Sequence, residues 1–523
     1  MPPCCTLLHV LALLGSLCFS TARSALDECK IGIVDLSDPS FGLPKCDIDA
    51  RVRSSGGVVI ANKPDRQGES HKYSQASGPY WLHESIKASP YYIPDPENAT
   101  IVYVYVYCIQ SWGTAAAYGG GFTDGIDPGI VLSNGYTHVL ESKRWKRHDG
   151  RDHVFFATHP LMGASHKYET ACNDLAKANH LVVESAQRLL CKEEEARRSF
   201  LVVPYSSPVV RPHHFKFAER DRDALSALKE RDISLFFRAQ CAAVEDMSGS
   251  DAVYGLRMRR HIVTAVQAAG DPHAHVNCTS DAGRMAYDDM LALMQRSTFC
   301  LMPPGETASS RRLTDAVLSG CIPVFIGPPW HEMPLPDYVE YTAFAVFIVA
   351  QQPRNLYGGA DIGKWDTLEA SPHEAVSNVY DPIFWFPAIN VSEVAISVED
   401  LGQVPEKLRG LPEEDVWRRQ ARLAEAQPLF RYRRRPEEIN LPGRVTASDA
   451  IMEEMCRAGH WVTQVAVAQA AAQSAAPPAE LSAVLSPAPP MPPPARHIER
   501  PRQILRKAGQ DMHQAVRNPL GRV

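Results

Sequence analysis

The chain has 523 residues, of which 45% are hydrophobic and 8% aromatic; that is apolar mass for more than one core, and it excludes disorder of the whole chain. Its net charge of −6, with no basic face in the folded portion, excludes a nucleic-acid binder, which must gather Lys and Arg to displace counterions.

The N-terminus carries an apolar run from Leu7 to Phe19, followed by the small residues Ser20, Thr21 and Ala22. Residues 1–22 are therefore expected to be a secretory signal peptide. The alternative is an uncleaved signal anchor, since no Lys or Arg precedes the run, although the run is shorter than the roughly 20 residues that span a bilayer. Both place the rest of the chain in the lumen of the secretory pathway, as a membrane-anchored type II protein or a soluble one. The sequons at Asn98, Asn277 and Asn390 are the expected glycosylation sites and agree with that address. Of 13 cysteines, Cys4, Cys5 and Cys18 lie in the leader, which leaves ten for an oxidising compartment. None stands in a C-x-x-C pair, so disulfides of undetermined pairing are expected rather than zinc.

Residues 23–98 are rich in Gly, Ser, Pro and charge without a sustained period, and are expected to form an irregular lead-in. Ile101 to Tyr107 is an uninterrupted β-branched and aromatic run, the pattern of a strand covered on both faces. Further strands are expected at His153 to Thr158 and Phe200 to Val203, with a helix between about Ala171 and Arg198. A second set follows: strand Ile233 to Phe237, helix Asp251 to Ala268, strand His275 to Asn277, helix Tyr287 to Gln295. Strand Thr298 to Met302, helix Ser309 to Ser319 and strand Ile322 to Ile326 complete it. Strands alternating with helices predict parallel sheets, so the fold class is α/β, with one half over 99–210, another over 211–350 and a cleft between them. Residues 351–390 read as a surface insertion and 391–472 as a helical segment. Residues 473–523 read as an Ala- and Pro-rich disordered tail.

The densest chemical signal is the segment Ser297-Thr298-Phe299-Cys300-Leu301-Met302-Pro303-Pro304-Gly305-Glu306-Thr307-Ala308-Ser309-Ser310-Arg311-Arg312-Leu313-Thr314-Asp315-Ala316, which continues to Gly320-Cys321-Ile322-Pro323-Val324. It spells strand, Pro/Gly loop, helix, Gly stop and strand, one right-handed βαβ unit. The loop leaves a strand's carboxyl end and enters a helix start at Ser309 and Ser310. Free backbone N–H groups and the positive end of the helix dipole suit that place to a diphosphate. Asp315 stands four residues after Arg311, which would let its carboxylate reach ribose hydroxyls while Arg311 faces phosphate. The plainer alternative is a capped helix with a surface Arg311–Asp315 ion pair worth a few tenths of a kcal/mol.

This segment resembles the signature of the exostosin family of glycosyltransferases: a Ser-x-Phe-Cys-Leu strand, a Pro-x-Gly loop, an Arg-Leu-x-(Asp/Glu)-Ala helix and Gly-Cys-Ile-Pro-Val. Two other segments are similar to family blocks: Arg144-Trp145-Lys146-Arg147-His148-Asp149-Gly150-Arg151-Asp152-His153, and Arg231-Asp232-Ile233-Ser234-Leu235-Phe236-Phe237-Arg238. The resemblance covers roughly Ile101 to Phe347. The sequence departs from the family at Tyr107-Cys108-Ile109-Gln110, where Tyr-Asp-Leu-Pro is usual, at Glu306 in place of Asp, and at Asp337-Tyr338-Val339-Glu340-Tyr341. These departures bear on the acceptor more than on the donor.

The resemblance implies a GT-B fold, two Rossmann-like domains facing across a cleft. It also implies an inverting transfer from a UDP-sugar held by the C-terminal half to a glycan, polysaccharide or glycoprotein acceptor in the Golgi lumen. Arg238, Gly305, Glu306, Ser309, Ser310, Arg311 and Asp315 are then the expected nucleotide-sugar-binding residues. Helix dipole and guanidinium groups could neutralise the departing diphosphate, so no cofactor and no metal are expected. Asp152, His153 and His159 are the candidates for the base that takes the acceptor's proton. Association with itself or with other glycosyltransferases is a further expectation. The alternative function is a catalytically silent, exostosin-like lectin or scaffold.

Overall fold

The computed structural model describes residues 28–36, 77–105, 136–157, 175, 177–183, 200–207, 231–241, 254–283, 285–303, 310–326, 333–350, 394–433 and 445–475. Its strands form two sheets. The first consists of β1 (Ile31–Asp35), β2 (Ile101–Tyr105), β3 (His153–Ala157), β4 (Asn179–Val182) and β5 (Phe200–Val202), all parallel and paired in chain order. The second consists of β6 (Ile233–Ala239), β7 (Ala274–Cys278), β8 (Ser297–Leu301), β9 (Ile322–Ile326), β10 (Val346–Ala350) and β11 (Ile396–Val398). These too are parallel, in the order β11-β10-β9-β8-β6-β7. Every residue of β2 and of β9 is buried, as continuous apolar runs require in a sheet covered on both faces.

The helices are α1 (Gly78–Lys87), α2 (Lys143–His148), α3 (Tyr254–Ala268), α4 (Thr279–Ala282), α5 (Tyr287–Gln295), α6 (Arg311–Leu318), α7 (Tyr341–Phe344), α8 (Val404–Arg409), α9 (Glu413–Ala426) and α10 (Ala447–Ala475). The alternation of strand and helix gives the expected α/β double-sheet architecture.

Three sequence expectations change. The 23–98 lead-in contains β1, the edge strand of the first sheet, and α1, whose Tyr80, Trp81, Leu82 and Ile86 enter the core. Within 171–198, where a helix was expected, the described residues carry β4. The segment 391–472 is not purely helical, because β11 extends the second sheet beside β10. The insertion at 351–390 lies outside the described residues, and α10 runs to Ala475, just past the expected start of the tail.

The two sheets share one apolar cluster. It joins Ile101, Tyr103, Val154 and Leu181 of the first to Cys300, Phe325 and Phe347 of the second. A second cluster fills the far face of the second sheet around Phe237, Val276, Val324 and Ile348. The 29-residue α10 returns from the C-terminal half to the first sheet. A disulfide joins its Cys456 to Cys29, the Ser85 hydroxyl donates to Ser448 Oγ over 2.9 Å, and Gly459 lies so near β2 that a Cβ there would sit 3.1 Å from Ile101 Cβ. Two more disulfides, Cys241–Cys278 and Cys300–Cys321, lie within the second half. Among the described residues no helix is long and apolar enough to cross a membrane.

Candidate active site

After β6 the chain lays β7 on one side, then crosses back to place β8 on the other side of β6. Connections leaving β6 and β8 therefore diverge, and the divergence opens a crevice outside their carboxyl ends. The described strands of the first sheet run in simple order with no such reversal. Arg238 is the penultimate residue of β6, and the connection after β8 arrives at α6, so the signature motif and Arg238 meet at the reversal. Gly305, Glu306 and Ser309, on that connection, lie outside the described residues.

Ser310 caps α6. Its backbone is extended at φ −154°, and its hydroxyl accepts from Arg312 N at 3.3 Å, satisfying one of the helix's free donors. Arg238 donates through Nη2 to the carbonyls of Ala282 and Gly283, at 2.5 and 2.6 Å, and so holds the end of α4 against β6.

Asp315 departs from the expected role. Its carboxylate is 1% exposed and accepts from Ser207 Oγ at 2.6 Å, from the Tyr287 hydroxyl at 2.6 Å and from Arg311 Nε at 3.2 Å. A carboxylate already satisfied by three protein donors is neither a surface partner for Arg311 nor turned outward to a ribose. Ser207 follows β5 in the first sheet and Tyr287 opens α5 in the second, so Asp315 bridges the two halves. Two neighbouring contacts reinforce the seam: Leu335 N donates to Val202 O at 2.9 Å and the Tyr432 hydroxyl to Pro204 O at 2.9 Å.

Arg311 completes the network, with its guanidinium 4.7 Å from the centre of the Tyr287 ring. Burial pulls its pKa down, but the Asp315 charge and hydrogen bond, together with Tyr287 and Tyr205, more than offset this and leave it above its ordinary value. Burial and the same carboxylate push the Tyr287 phenol far up, so it remains a proton donor.

On the acceptor side Asp152 immediately precedes β3 and His153 opens it, each 1% exposed. Both stand at the amino end of the parallel sheet, whereas crevices form outside the carboxyl ends. The Asp152 carboxylate lies 2.7 Å from Arg144 Nη2 and 2.8 Å from His153 Nδ1. Arg144, itself buried, donates to the carbonyls of Pro96, Glu97 and Ala99, the turn that feeds β2. The expectation that Asp152 or His153 faces the acceptor is thus replaced by a buried ionic clamp. Gly150, at φ +76°, makes the clamp's turn: a Cβ there would stand 2.5 Å from the Trp145 ring. His159 lies outside the described residues.

Of the sequons, Asn98 is exposed on a short 3-10 turn, with its Nδ2 donating to Asp95 Oδ2 at 2.6 Å. Asn277 lies on the edge strand β7 and accepts from Gln267 Nε2 at 3.0 Å; Asn390 is outside the described residues. Sequence reasoning passed over Ser207, Tyr287 and Arg312. Arg312 was within reach, beside Arg311 in the same motif. Ser207 and Tyr287 lie 108 and 28 residues from Asp315, and no local pattern connects them.

A family model described as the Exostosin GT47 domain matches residues 48–358. The chain is 28% identical over 299 residues to the probable glucuronoxylan glucuronosyltransferase IRX7 of Arabidopsis thaliana, covering 54% of this chain and 58% of that one. It is 23% identical over 378 residues to the probable xyloglucan galactosyltransferase GT19 of Arabidopsis thaliana, covering 71% and 75%. With the probable arabinosyltransferase ARAD1 of the same plant it shares 26% identity over 263 residues, 49% and 51% of the two chains. The match thus spans somewhat over half the length of most of these relatives.

Proposed function

Since the chain belongs to the exostosin GT47 family, we propose that it is a glycosyltransferase that moves a sugar from a UDP-sugar to a glycan, polysaccharide or glycoprotein acceptor. The observation that carries this reading is the strand-order reversal between β6 and β8, with Arg238 and the start of α6 at the mouth of the crevice. A diphosphate bound there meets the positive end of a helix dipole and a guanidinium, both fixed before the ligand arrives. The relatives' names, which cover glucuronosyl, galactosyl and arabinosyl transfer, support sugar transfer and leave the donor sugar open.

In an inverting transfer the acceptor oxygen attacks the anomeric carbon as the bond to the diphosphate oxygen breaks. The charge that develops on the diphosphate is neutralised by the crevice, which makes transfer independent of a divalent metal. The acceptor's proton passes to a base, and we assign that role to His159, the remaining candidate, because Asp152 and His153 are enclosed at the amino end of β3. The three disulfides among the described residues suit the lumen of the secretory pathway, and the Golgi is the compartment proposed.

A thermal-shift panel of nucleotide sugars followed by a transfer assay with the binding donor tests this reading. A donor should raise the melting temperature and be consumed, EDTA should leave the rate unchanged, and His159→Ala should slow transfer by about two to four orders of magnitude. Binding without any turnover would favour a silent, lectin-like protein; binding of no nucleotide sugar would refute the reading.

A further inference from the structure

At the carboxyl edge of the first sheet, Asp35 ends β1 and Tyr105 ends β2, and the two are partners in register. His83, midway along α1, lays its ring on that of Tyr105, with the ring centres 4.2 Å apart and the planes 19° from parallel. Its Nδ1 lies 2.9 Å from Glu84 Oε1. An ionised carboxylate only accepts, so the Nδ1 proton is given to Glu84, and stack and hydrogen bond together fix the ring in plane and rotation. Nε2 is left over: none of the described residues bonds it.

The His83 side chain is 10% exposed, and a polar atom unmatched at that depth is unfavourable; a ring needed only for packing on Tyr105 would carry no nitrogen there. Its position supplies the reason for keeping one. Ser77, just ahead of α1, donates its hydroxyl to Ser206 Oγ at 2.9 Å, and the neighbouring Ser207 donates to Asp315 of α6. α1 thus starts at the seam beside the crevice, and His83 lies six residues further on, about 9 Å along the helix. The charges nearby narrow the ligand. Glu84, 44% exposed at its side chain, and Asp35 put carboxylates at this edge, which accept from the hydroxyls of a neutral sugar and repel an acidic one.

We infer that His83 binds the acceptor: its Nε2 pairs with a hydroxyl of a neutral sugar residue, Glu84 positions the ring, and the carboxylates of Glu84 and Asp35 disfavour acidic sugars. This rests on the glycosyltransferase reading and names the class of acceptor for it. A hydroxyl both donates and accepts, so it meets Nε2 whether or not that nitrogen carries a proton. His83 holds the sugar and leaves its proton to the base.

The test is calorimetry on the full chain with UDP present. Neutral xylo- and cello-oligosaccharides and glucuronic-acid-bearing xylo-oligosaccharides are titrated into wild type, His83→Phe, Glu84→Ala and the double variant, with UDP affinity and unliganded melting measured alongside. Wild type should bind a neutral oligosaccharide more tightly than an acidic one. His83→Phe keeps the stack on Tyr105; it should weaken the neutral oligosaccharide by about 3- to 10-fold, the range for one neutral hydrogen bond, and leave UDP affinity unchanged. Glu84→Ala should weaken it by a smaller factor and add nothing in the His83→Phe background, because Glu84 acts through the ring. A merely structural pair would move the melting temperature and show no such coupling in oligosaccharide affinity. Neutral-oligosaccharide affinity of His83→Phe within twofold of wild type, additive losses in the double variant, or tighter binding of the acidic oligosaccharides would each overturn the inference. If His83→Phe does not fold, Glu84→Ala decides: unchanged oligosaccharide affinity overturns the inference. Wild type that binds UDP but no neutral oligosaccharide overturns it and leaves the nucleotide-sugar reading standing, whereas binding of neither overturns both.

Discussion

Replacing Asp152 separates a structural clamp from a catalytic base. Asp152→Asn keeps the shape, and its amide oxygen can still accept from Arg144, but the charge that balances a buried guanidinium is gone. Removing one partner of a buried ion pair destabilises by about 3–5 kcal/mol; the isosteric amide falls at the low end, about 3 kcal/mol, and Asp152→Ala at the high end, about 5 kcal/mol. At about 2 °C per kcal/mol for a folding unit of this size, melting should fall by ~6 °C and ~10 °C respectively. The pH dependence provides a second signature. Burial alone would raise the Asp152 carboxyl, but the His153 hydrogen bond and the charges of His153, Arg144 and His148 bring it below its ordinary value. A depressed carboxyl contributes stability in full above its unfolded pKa and loses it as the pH falls through the folded one. The gap between wild type and Asp152→Asn should therefore be widest near neutrality and should close below about pH 4. Circular dichroism melts from pH 3 to pH 8 read both effects. If Asp152→Asn melts with wild type at pH 7 yet has lost transfer, the clamp account is wrong and the residue is catalytic.

Three further outcomes follow from the geometry. Asp315→Ala leaves Ser207, Tyr287 and Arg311 without their shared acceptor, and should destabilise by about 3–5 kcal/mol in urea titrations; a loss below 1 kcal/mol would deny its role at the seam. Gly150→Ala must hold a positive φ and push its Cβ into the Trp145 ring, so a loss of at least ~1–3 kcal/mol is expected, with near-ultraviolet dichroism reporting the displaced indole. A Cys29→Ser, Cys456→Ser pair should expose the first half to proteolysis before the second, whereas uniform cleavage would show that α10 is held without its crosslink.

Strands β6 to β9 of the second sheet were legible, and around β8 and β9 the punctuation is local: an apolar run, a Pro/Gly loop, a Ser cap and a stop at Gly320 lie within thirty residues of one another, whereas β10 and β11 beyond them were not read as strands. β1 and α1 were not legible either. Ile-Gly-Ile-Val-Asp is a short strand set in turn-rich sequence, and its partner β2 lies some seventy residues on. The pairing of Arg311 with Asp315 was visible in the four-residue spacing, but the direction of the carboxylate was not, since Ser207 comes from the other sheet. Asp152 and His153 were misread for a different reason. That they come before β3, and so at the amino end of a parallel sheet, was available from chain direction alone.

The crosslink between β1 and α10 also sets a timetable for biogenesis. Cys29 and Cys456 are 427 positions apart, and at roughly 5–20 residues per second of synthesis the second thiol follows the first by about 20–85 s. During that interval Cys241, Cys278, Cys300 and Cys321 all enter the same oxidising space, and each is nearer in sequence to Cys29 than its proper mate. The first half cannot close vectorially as it emerges. It waits with an unpaired thiol beside its edge strand until the last long helix is made, so correct maturation depends on a thiol–disulfide isomerase to undo premature pairings.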